Sequence, residues 1–263
     1  MAREAKKQQS TPPNSQRSHF NWRLTLGILA FGAIGVSTAV AGYRVSLFVN
    51  SDPQFTLSRD RKDALTLQGL VYASRFKVQR IFAADFDHSI FAVPLAERRR
   101  RLLAIDWVED AWVSRVWPDR LVVRIRERKP VAFVSFRSGV LLIDAHGVLL
   151  EPPVQAQFAF PVLGGVREEE TEAQRREHVR AFLQVQEEMG YLAKEISEVD
   201  TTDAENIRIV SQVDQRVVTL LVGDGNYARR YQNFVNHYPE IKKRSPLAKA
   251  FDLRLDGRIT VKE

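Results

Sequence analysis

The sequence predicts an α+β protein in which one membrane-spanning helix near the N-terminus precedes two outer domains. Three observations support this fold class. A run of twenty uncharged residues, Leu24–Tyr43, is long enough to cross the hydrocarbon core of a bilayer. The bulky segment 107–132 has the two-residue period of a β-hairpin. Strand-like and helix-like segments then follow one another up to the C-terminus, which is typical of a mixed fold.

The N-terminal region is predicted to be a cytoplasmic tail followed by a membrane anchor. Residues 1–22 are polar, and we expect them to be disordered. The transmembrane helix is expected at residues 23–48, with Trp22 and Tyr43 near the two membrane surfaces. Basic residues gather before the apolar run, which predicts a cytoplasmic N-terminus and an outer C-terminus. Ala39-Val40-Ala41 would also suit a signal-peptide cleavage site, but the apolar run is longer than a signal peptide requires.

The charge distribution argues against a nucleic-acid-binding protein. The formal charge is +7, but residues 1–44 carry six basic side chains and one acidic one, a net +5. The other 219 residues therefore carry only +2. The chain also contains no cysteine, which excludes disulfides and thiolate metal sites.

The first outer domain is expected at residues 55–128 with the order β-α-α-β-β. Residues 64–70 predict a short strand, Ser74 is a candidate helix cap, and Pro94 suits the start of a second helix. That second helix has an apolar stripe, and one or two of the four arginines at 98–101 are expected to lie beside it and extend outward. The run as a whole is expected to be a solvated face, with a phosphate or nucleic-acid patch as the alternative.

The hairpin that ends this domain has the clearest pattern. Trp117-Pro118-Asp119-Arg120 is a turn, with proline at its first central position. Leu121 begins a strand that alternates apolar residues with arginines. Strand parity places Trp107 and Trp117 in the core, and Trp112 on the opposite face, where it is available for contacts.

The second outer domain is expected at residues 129–263, beginning next to Pro130, because proline limits further strand pairing there. Strands are predicted at 131–136, 140–143, 148–150, 206–211 and 216–222. One helix is expected to open at Glu168-Glu169-Glu170, and a long amphipathic helix follows Gly223-Asp224-Gly225. Residues 251–257 predict a strand and a turn, with Leu253 and Leu255 on one strand face and Arg254 on the opposite face. Residues 259–261 end the chain as a last strand.

The search for catalytic chemistry gives no positive result. The five histidines are far apart in sequence, and there is no HExxH, P-loop or GxSxG motif. Asp144 and His146 are typical turn residues in this context rather than two members of a triad. The sequence therefore predicts no catalytic residue, no metal site, no cofactor and no small-molecule substrate.

The order of motifs around the hairpin resembles a known family. Residues 89–93, Trp107-Val108, 115–119, 121–125 and 127–132 follow the pattern of the POTRA module and its exit in the FtsQ/DivIB family of bacterial cell-division proteins. The residues that carry this structural motif are Trp107, Trp117, Pro118, Leu121, Arg128 and Pro130. The resemblance implies a POTRA domain, a C-terminal β domain with an exposed edge strand, and a non-enzymatic scaffold in the inner membrane at the division septum.

The C-terminal part of the resemblance implies a partner-binding strand. Asp252-Leu253-Arg254 matches a family motif that precedes an exposed strand, and this strand captures a segment of a single-span partner of the FtsB/DivIC type, which pairs with an FtsL-type protein. The implied contact residues are Arg254, Leu255, Gly257, Ile259, Thr260 and Val261. An ordinary last core strand is the alternative interpretation.

Two other functions remain open at the level of sequence. A POTRA-containing protein of membrane protein transport or assembly would usually carry repeated POTRA units or a long barrel region, and neither is present in this chain. A membrane-tethered hydrolase is disfavoured because catalytic motifs are absent.

Overall fold

The computed structural model describes residues 22–154 and 156–262 of the chain. The tail expected at residues 1–22 lies outside the described residues, apart from Trp22. The chain divides into two compact units, residues 1–53 and residues 54–263. Each unit is described by itself.

The described part of the first unit is a single long helix, α1 (Trp22–Ser51). Within it, Leu29–Ser51 is apolar and long enough to cross a membrane, about 35 Å at about 1.5 Å per residue. Apolar side chains such as Phe31 and Ile34 are exposed all along this stretch. The helix extends past residue 48, where the sequence predicted its end, because Val49, Asn50 and Ser51 continue it without a breaker before Pro53.

The second unit begins with the predicted β-α-α-β-β order. Its elements are β1 (Leu65–Gln68), α2 (Arg75–Ile81), α3 (Leu95–Leu103), β2 (Val108–Val116) and β3 (Arg120–Glu127), after a short 3₁₀ turn at Pro53–Phe55. The strand order is β1-β3-β2, with β1 parallel and β2 antiparallel to β3. Ser74 caps α2 as expected, because its hydroxyl accepts a hydrogen bond from the Lys77 amide.

Both helices pack on one face of this sheet. Alternate residues of β3, Leu121, Val123 and Ile125, are buried, while Arg124 and Arg126 are exposed on the other face. The three buried residues of β3 pack in one core with Val78 and Phe82 of the α2 segment and Leu102 of α3. The alternation in the sequence therefore places the core correctly.

One arginine of α3 is buried, which corrects the expectation that the run 98–101 extends into solvent. The Arg98 guanidinium makes two hydrogen bonds to the Asp85 carboxylate, at 2.7 and 2.8 Å. Both side chains are covered, so the charges are compatible with burial only as a pair. The hydrogen bonds that Arg98 donates to Asp85 raise the pKa of Arg98, which keeps the guanidinium charged.

The expected burial of Trp117 is wrong, whereas that of Trp107 is confirmed. Trp107 is 6% exposed and Trp117 is 65% exposed. Strand parity fails at Trp117 because β2 ends at Val116 and Trp117 lies in the turn that follows. The Trp117 ring instead packs by its edge on Phe55 and Phe91.

The rest of the second unit is built around a nine-stranded mixed sheet. Its strands are β4 (Pro130–Phe136), β5 (Gly139–Asp144), β6 (Leu149–Leu150), β7 (Val162–Gly164), β8 (Ile196–Asp200), β9 (Ile207–Val213), β10 (Arg216–Gly223), β11 (Ala250–Asp252) and β12 (Thr260–Lys262). Its helices are α4 (Glu172–Met189) and α5 (Tyr227–Arg244), with a 3₁₀ helix at Gly190–Glu195. The strand order is β12-β11-β10-β9-β8-β7-β4-β5-β6.

The apolar faces of α4 and α5 join the sheet in one core. Val179, Phe182 and Val185 of α4 are buried with Tyr231 and Phe234 of α5. Helix α4 begins at Glu172, whereas the sequence predicted that it would begin at residues 168–170. Thr171 caps the helix through a capping box with Gln174, so the acidic run precedes the first turn.

A small third core joins the POTRA-like region (residues 54–128) to the nine-stranded region (residues 129–262). The Trp107 indole N–H donates to the Glu151 carbonyl at 2.8 Å, and its ring packs against Phe158. Next to it, Arg128 donates to Asp144 at 2.9 Å. Asp144 also accepts the backbone N–H groups of residues 146 and 148, so this carboxylate holds a turn, in agreement with the structural interpretation of the Asp144-His146 pair.

Candidate partner-binding edge at the C-terminus

The C-terminal end of the sheet is assembled by a crossover followed by a hairpin. Helix α5 connects β10 to β11, which runs parallel to β10 with Phe251 opposite Leu220. The chain then turns back through residues 253–259 and forms β12, antiparallel to β11, with Val261 opposite Phe251. In the part of the chain that the structure describes, β11 is the only strand that pairs with β12.

Strand β12 differs from β11 in its burial. Phe251 in the middle of β11 is buried in the main core. All three residues of β12 are exposed, including Val261 at 37%. A strand that is uncovered on both faces and at one edge is an edge strand rather than a core strand. Such an edge can offer backbone groups to a further strand.

Arg254 is held by its own chain. Its guanidinium donates to the Asp252 carboxylate, at 2.7 Å for the shortest contact, and to the Asn206 side-chain oxygen at 2.7 Å. The hydrogen bond from Arg254 keeps the pKa of Asp252 below its ordinary value. The two side chains therefore close the corner between β11 and the loop that follows it. Direct contact of Arg254 with a partner stays a prediction.

A second arginine fastens the loop between β11 and β12. Arg230 of α5 donates to the Val222 carbonyl at 2.6 Å and to Asp256 at 3.2 Å. Leu253 is buried and its N–H bonds to the Leu221 carbonyl, so the loop is also fixed at its start. Arg230 was not predicted from the sequence, although an arginine close to the buried tyrosines of α5 was a visible signal.

The fastened loop presents an apolar side chain beside a cleft. Leu255 is 63% exposed, which separates it from buried Leu253 and corrects the expectation that the two share one strand face. The reason is that β11 ends at Asp252, so the two-residue period does not continue. The adjoining cleft has a volume of about 390 Å³. Its lining includes Arg229, Asn233, Leu255, Gly257, Arg258 and Ile259.

Most of the predicted contact residues lie around this edge. Leu255, Gly257 and Ile259 line the cleft, and Thr260 and Val261 belong to β12. Ile259 is partly buried against the main core, so it supports the strand from inside. Among the described residues, no group of acidic and histidine side chains is arranged to hold a metal ion.

Two family descriptions match the chain. The description "POTRA domain, FtsQ-type" matches residues 63–128. The description "Cell division protein FtsQ/DivIB, C-terminal" matches residues 132–254. The second match ends at the Asp252-Leu253-Arg254 motif and does not include β12.

Similar proteins have been described in several bacteria. A cell division protein FtsQ of Koribacter versatilis is 32% identical over 237 residues, which cover 88% of this chain and 68% of that protein. A cell division protein FtsQ of Shewanella oneidensis is 23% identical over 249 residues, covering 94% and 89%. A solved extracytoplasmic domain of the cell division protein DivIB from Geobacillus stearothermophilus aligns over 46% of this chain and 96% of that chain. Its TM-score is 0.27 at 18% identity, too low to support an argument about the fold.

Proposed function

Because the chain belongs to the FtsQ/DivIB family of cell-division proteins, we propose that it is a membrane-anchored scaffold that links partner proteins at the division septum. The family is a non-enzymatic component of the bacterial division machinery, so the chain is not an enzyme. The scaffold role requires a surface that another protein can occupy. The exposed edge of β12 is the observation that supports this role most directly.

We propose that α1 anchors the chain in the inner membrane, with a cytoplasmic N-terminus and a periplasmic C-terminus. The apolar length of Leu29–Ser51 supports the anchor, and the basic residues that precede the apolar run support its orientation. The extracytoplasmic part would then comprise a POTRA domain at residues 55–128 and a C-terminal β domain at residues 129–263.

The partner that fits the edge is an extended segment that adds a strand to β12. We propose that it comes from an FtsB/DivIC-type single-span protein that itself pairs with an FtsL-type protein. A strand of three residues can supply about three backbone hydrogen bonds, together about 2–4 kcal/mol net. Micromolar binding needs about 8 kcal/mol. Side-chain contacts at Leu255, Val261 and the adjoining cleft must therefore supply about half to three quarters of the binding free energy.

Proline substitutions in β12 test this proposal. Proline at Ile259, Thr260 or Val261 removes one backbone donor, and alternate positions of a strand direct that donor to opposite sides. We expect at least one of Ile259→Pro, Thr260→Pro and Val261→Pro to abolish binding of the FtsB/DivIC-type partner from the same organism. Thr260→Ala keeps the N–H group and serves as the matched control, with unchanged binding.

The measurement is titration of the purified partner with each variant, together with a thermal melt of each variant. A variant that melts like the parent but does not bind supports strand addition. If all three proline variants are folded and bind as the parent does, the partner does not add to β12.

A further inference from the structure

We propose that the tip of the β2–β3 hairpin rests on the bilayer surface as a second membrane contact of this chain. The hairpin tip consists of Trp117, Pro118, Asp119 and Arg120, and the rings of Phe55 and Phe91 support Trp117 from below. This inference rests on the proposed anchoring of α1 in the membrane. The proposed ligand is the interfacial layer of an anionic phospholipid bilayer.

The hairpin tip holds an exposed indole on a buried aromatic base. The Trp117 ring lies 5.8 Å from the Phe55 ring and 5.4 Å from the Phe91 ring, in both cases edge to face. Phe55 is itself buried, and Arg115 stacks over Phe91 while bonding to the Ile90 carbonyl. Trp117 is thus supported on one side and 65% exposed. Tryptophan is enriched at membrane–water interfaces because its ring is both apolar and able to donate a hydrogen bond.

Only a short stretch of chain connects the candidate span to the hairpin tip. The apolar stretch of α1 ends at Ser51, and Phe55 follows only four residues later. Four residues span at most about 14 Å even when fully extended. Phe55 contacts Trp117, so this short connection leads directly to the residue that supports the indole. A protein partner could also cover an exposed Trp, but chain length favours the lipid surface for this one.

The charge of the surrounding region favours an anionic surface. Residues 54–128 contain 15 basic and 10 acidic side chains, a net +5, whereas residues 129–263 contain 18 and 20, a net −2. At the hairpin tip itself Arg61 is paired with Asp119, and Arg120 lies 3.7 Å from Asp63. The attraction to anionic lipid therefore belongs to the whole region, and the insertion belongs to Trp117.

The structure supplies a matched control for Trp117 on the same hairpin. Trp112 is 43% exposed, but it lies in the middle of β2 with Arg126 over its ring, at 5.7 Å. Its indole is therefore away from the turn and already in contact with a cation. An effect of lipid on Trp117 that Trp112 does not show would depend on position rather than on exposure.

Quenching of tryptophan fluorescence by lipid tests the inference in the full chain. The protein carrying Trp22→Phe is reconstituted into vesicles of phosphatidylethanolamine and phosphatidylglycerol in a 3:1 ratio, with and without a lipid that bears a shallow doxyl quencher. Trp117→Phe and Trp112→Phe are then made in this background. We expect Trp117→Phe to remove about half or more of the quenchable fluorescence, and Trp112→Phe to leave it unchanged. Thermal melts confirm that both variants fold.

Each other outcome overturns the inference. If Trp117→Phe leaves the quenching unchanged in protein that resists alkaline extraction, the hairpin tip does not touch the bilayer, while the anchor stands. If the protein is extracted by alkali, the anchor and the inference fail together. If Trp117 is unquenched by lipid but becomes shielded from aqueous iodide when the FtsB/DivIC-type partner is added, the hairpin tip is a protein-binding surface instead.

Discussion

Replacement of Trp107 should destabilise the folded protein far more than replacement of Trp117. Both belong to the same motif, and only their surroundings differ. Trp107 is 6% exposed, and its indole N–H bonds to the Glu151 carbonyl between the two regions. Trp117 is 65% exposed at the end of the hairpin. We compare Trp107→Ala with Trp117→Ala in a fragment of residues 54–263, which is one compact unit.

The expected magnitudes follow from these two environments. Truncation of a buried tryptophan to alanine typically costs about 3–5 kcal/mol. About one third of Trp117 is covered, which for a tryptophan is about 80 Å² and corresponds to about 2 kcal/mol at about 25 cal/mol per Å². We therefore expect about 3–5 kcal/mol for Trp107→Ala and about 1–2 kcal/mol for Trp117→Ala.

Urea unfolding followed by far-ultraviolet circular dichroism measures both changes. With a slope of about 2–3 kcal/mol per molar urea, the midpoint should fall by more than about 1 M for Trp107→Ala and by less than about 1 M for Trp117→Ala. Trp107→Phe is a useful control because it keeps an aromatic ring and removes the hydrogen bond to Glu151. It should cost less than the alanine variant.

Equal midpoint shifts for the two alanine variants would refute this reasoning. They would mean that Trp117 is covered in the folded protein. The proposed membrane contact would then fail as well, because it depends on an exposed Trp117 indole. A separate early transition in Trp107→Ala would instead show that the two regions unfold independently once their shared core is opened.

The remaining predictions concern two ion pairs. Asp85→Ala should cost about 3–5 kcal/mol in urea unfolding because it leaves the buried Arg98 charge without a partner. The double variant Asp85→Leu with Arg98→Met should recover much of that loss. A small effect of Asp85→Ala alone would contradict burial of the pair. For Asp252, the folded-state pKa lies below its ordinary value because of the hydrogen bond from Arg254. The stability it contributes is present above the unfolded pKa of about 3.9 and is lost as pH falls through the folded pKa. Between pH 5 and pH 3 the parent should therefore lose more stability than Asp252→Asn, and parallel curves would exclude a role for this pair.

The element order could be predicted from sequence because it depends on local patterns. The alternation from Leu121 to Ile125 identified the buried face of β3, and Ser74 marked the start of α2. Predictions failed where a pattern was extended past the end of its element. Parity was carried from β2 into the turn at Trp117, and from β11 into the loop at Leu255, although neither residue lies in a strand.

Long-range pairing was not accessible from a single sequence. Asp85 and Arg98 look like ordinary surface residues until the fold buries them against each other. Likewise, Arg230 and Asp256 are 26 residues apart, and only the crossover through α5 brings them together. The candidate edge could be located from its motif, but the contacts that hold its loop in place could not.

The strand order constrains how a partner could reach β12. The POTRA-like region contacts the nine-stranded region near Leu142 of β5 and Leu150 of β6, at one end of the sheet, and β12 is the strand at the opposite end. Eight steps of about 4.8 Å separate β6 from β12, a path of about 38 Å across the sheet. If the hairpin tip rests on the bilayer, as proposed, and the strand order runs away from it, a partner anchored in the same membrane bridges a distance of this order before its strand begins. A helix needs about 25 residues to do so. On these two conditions, β12 would favour a partner whose span and strand are separated by a long, stiff segment over one whose pairing strand directly follows its span.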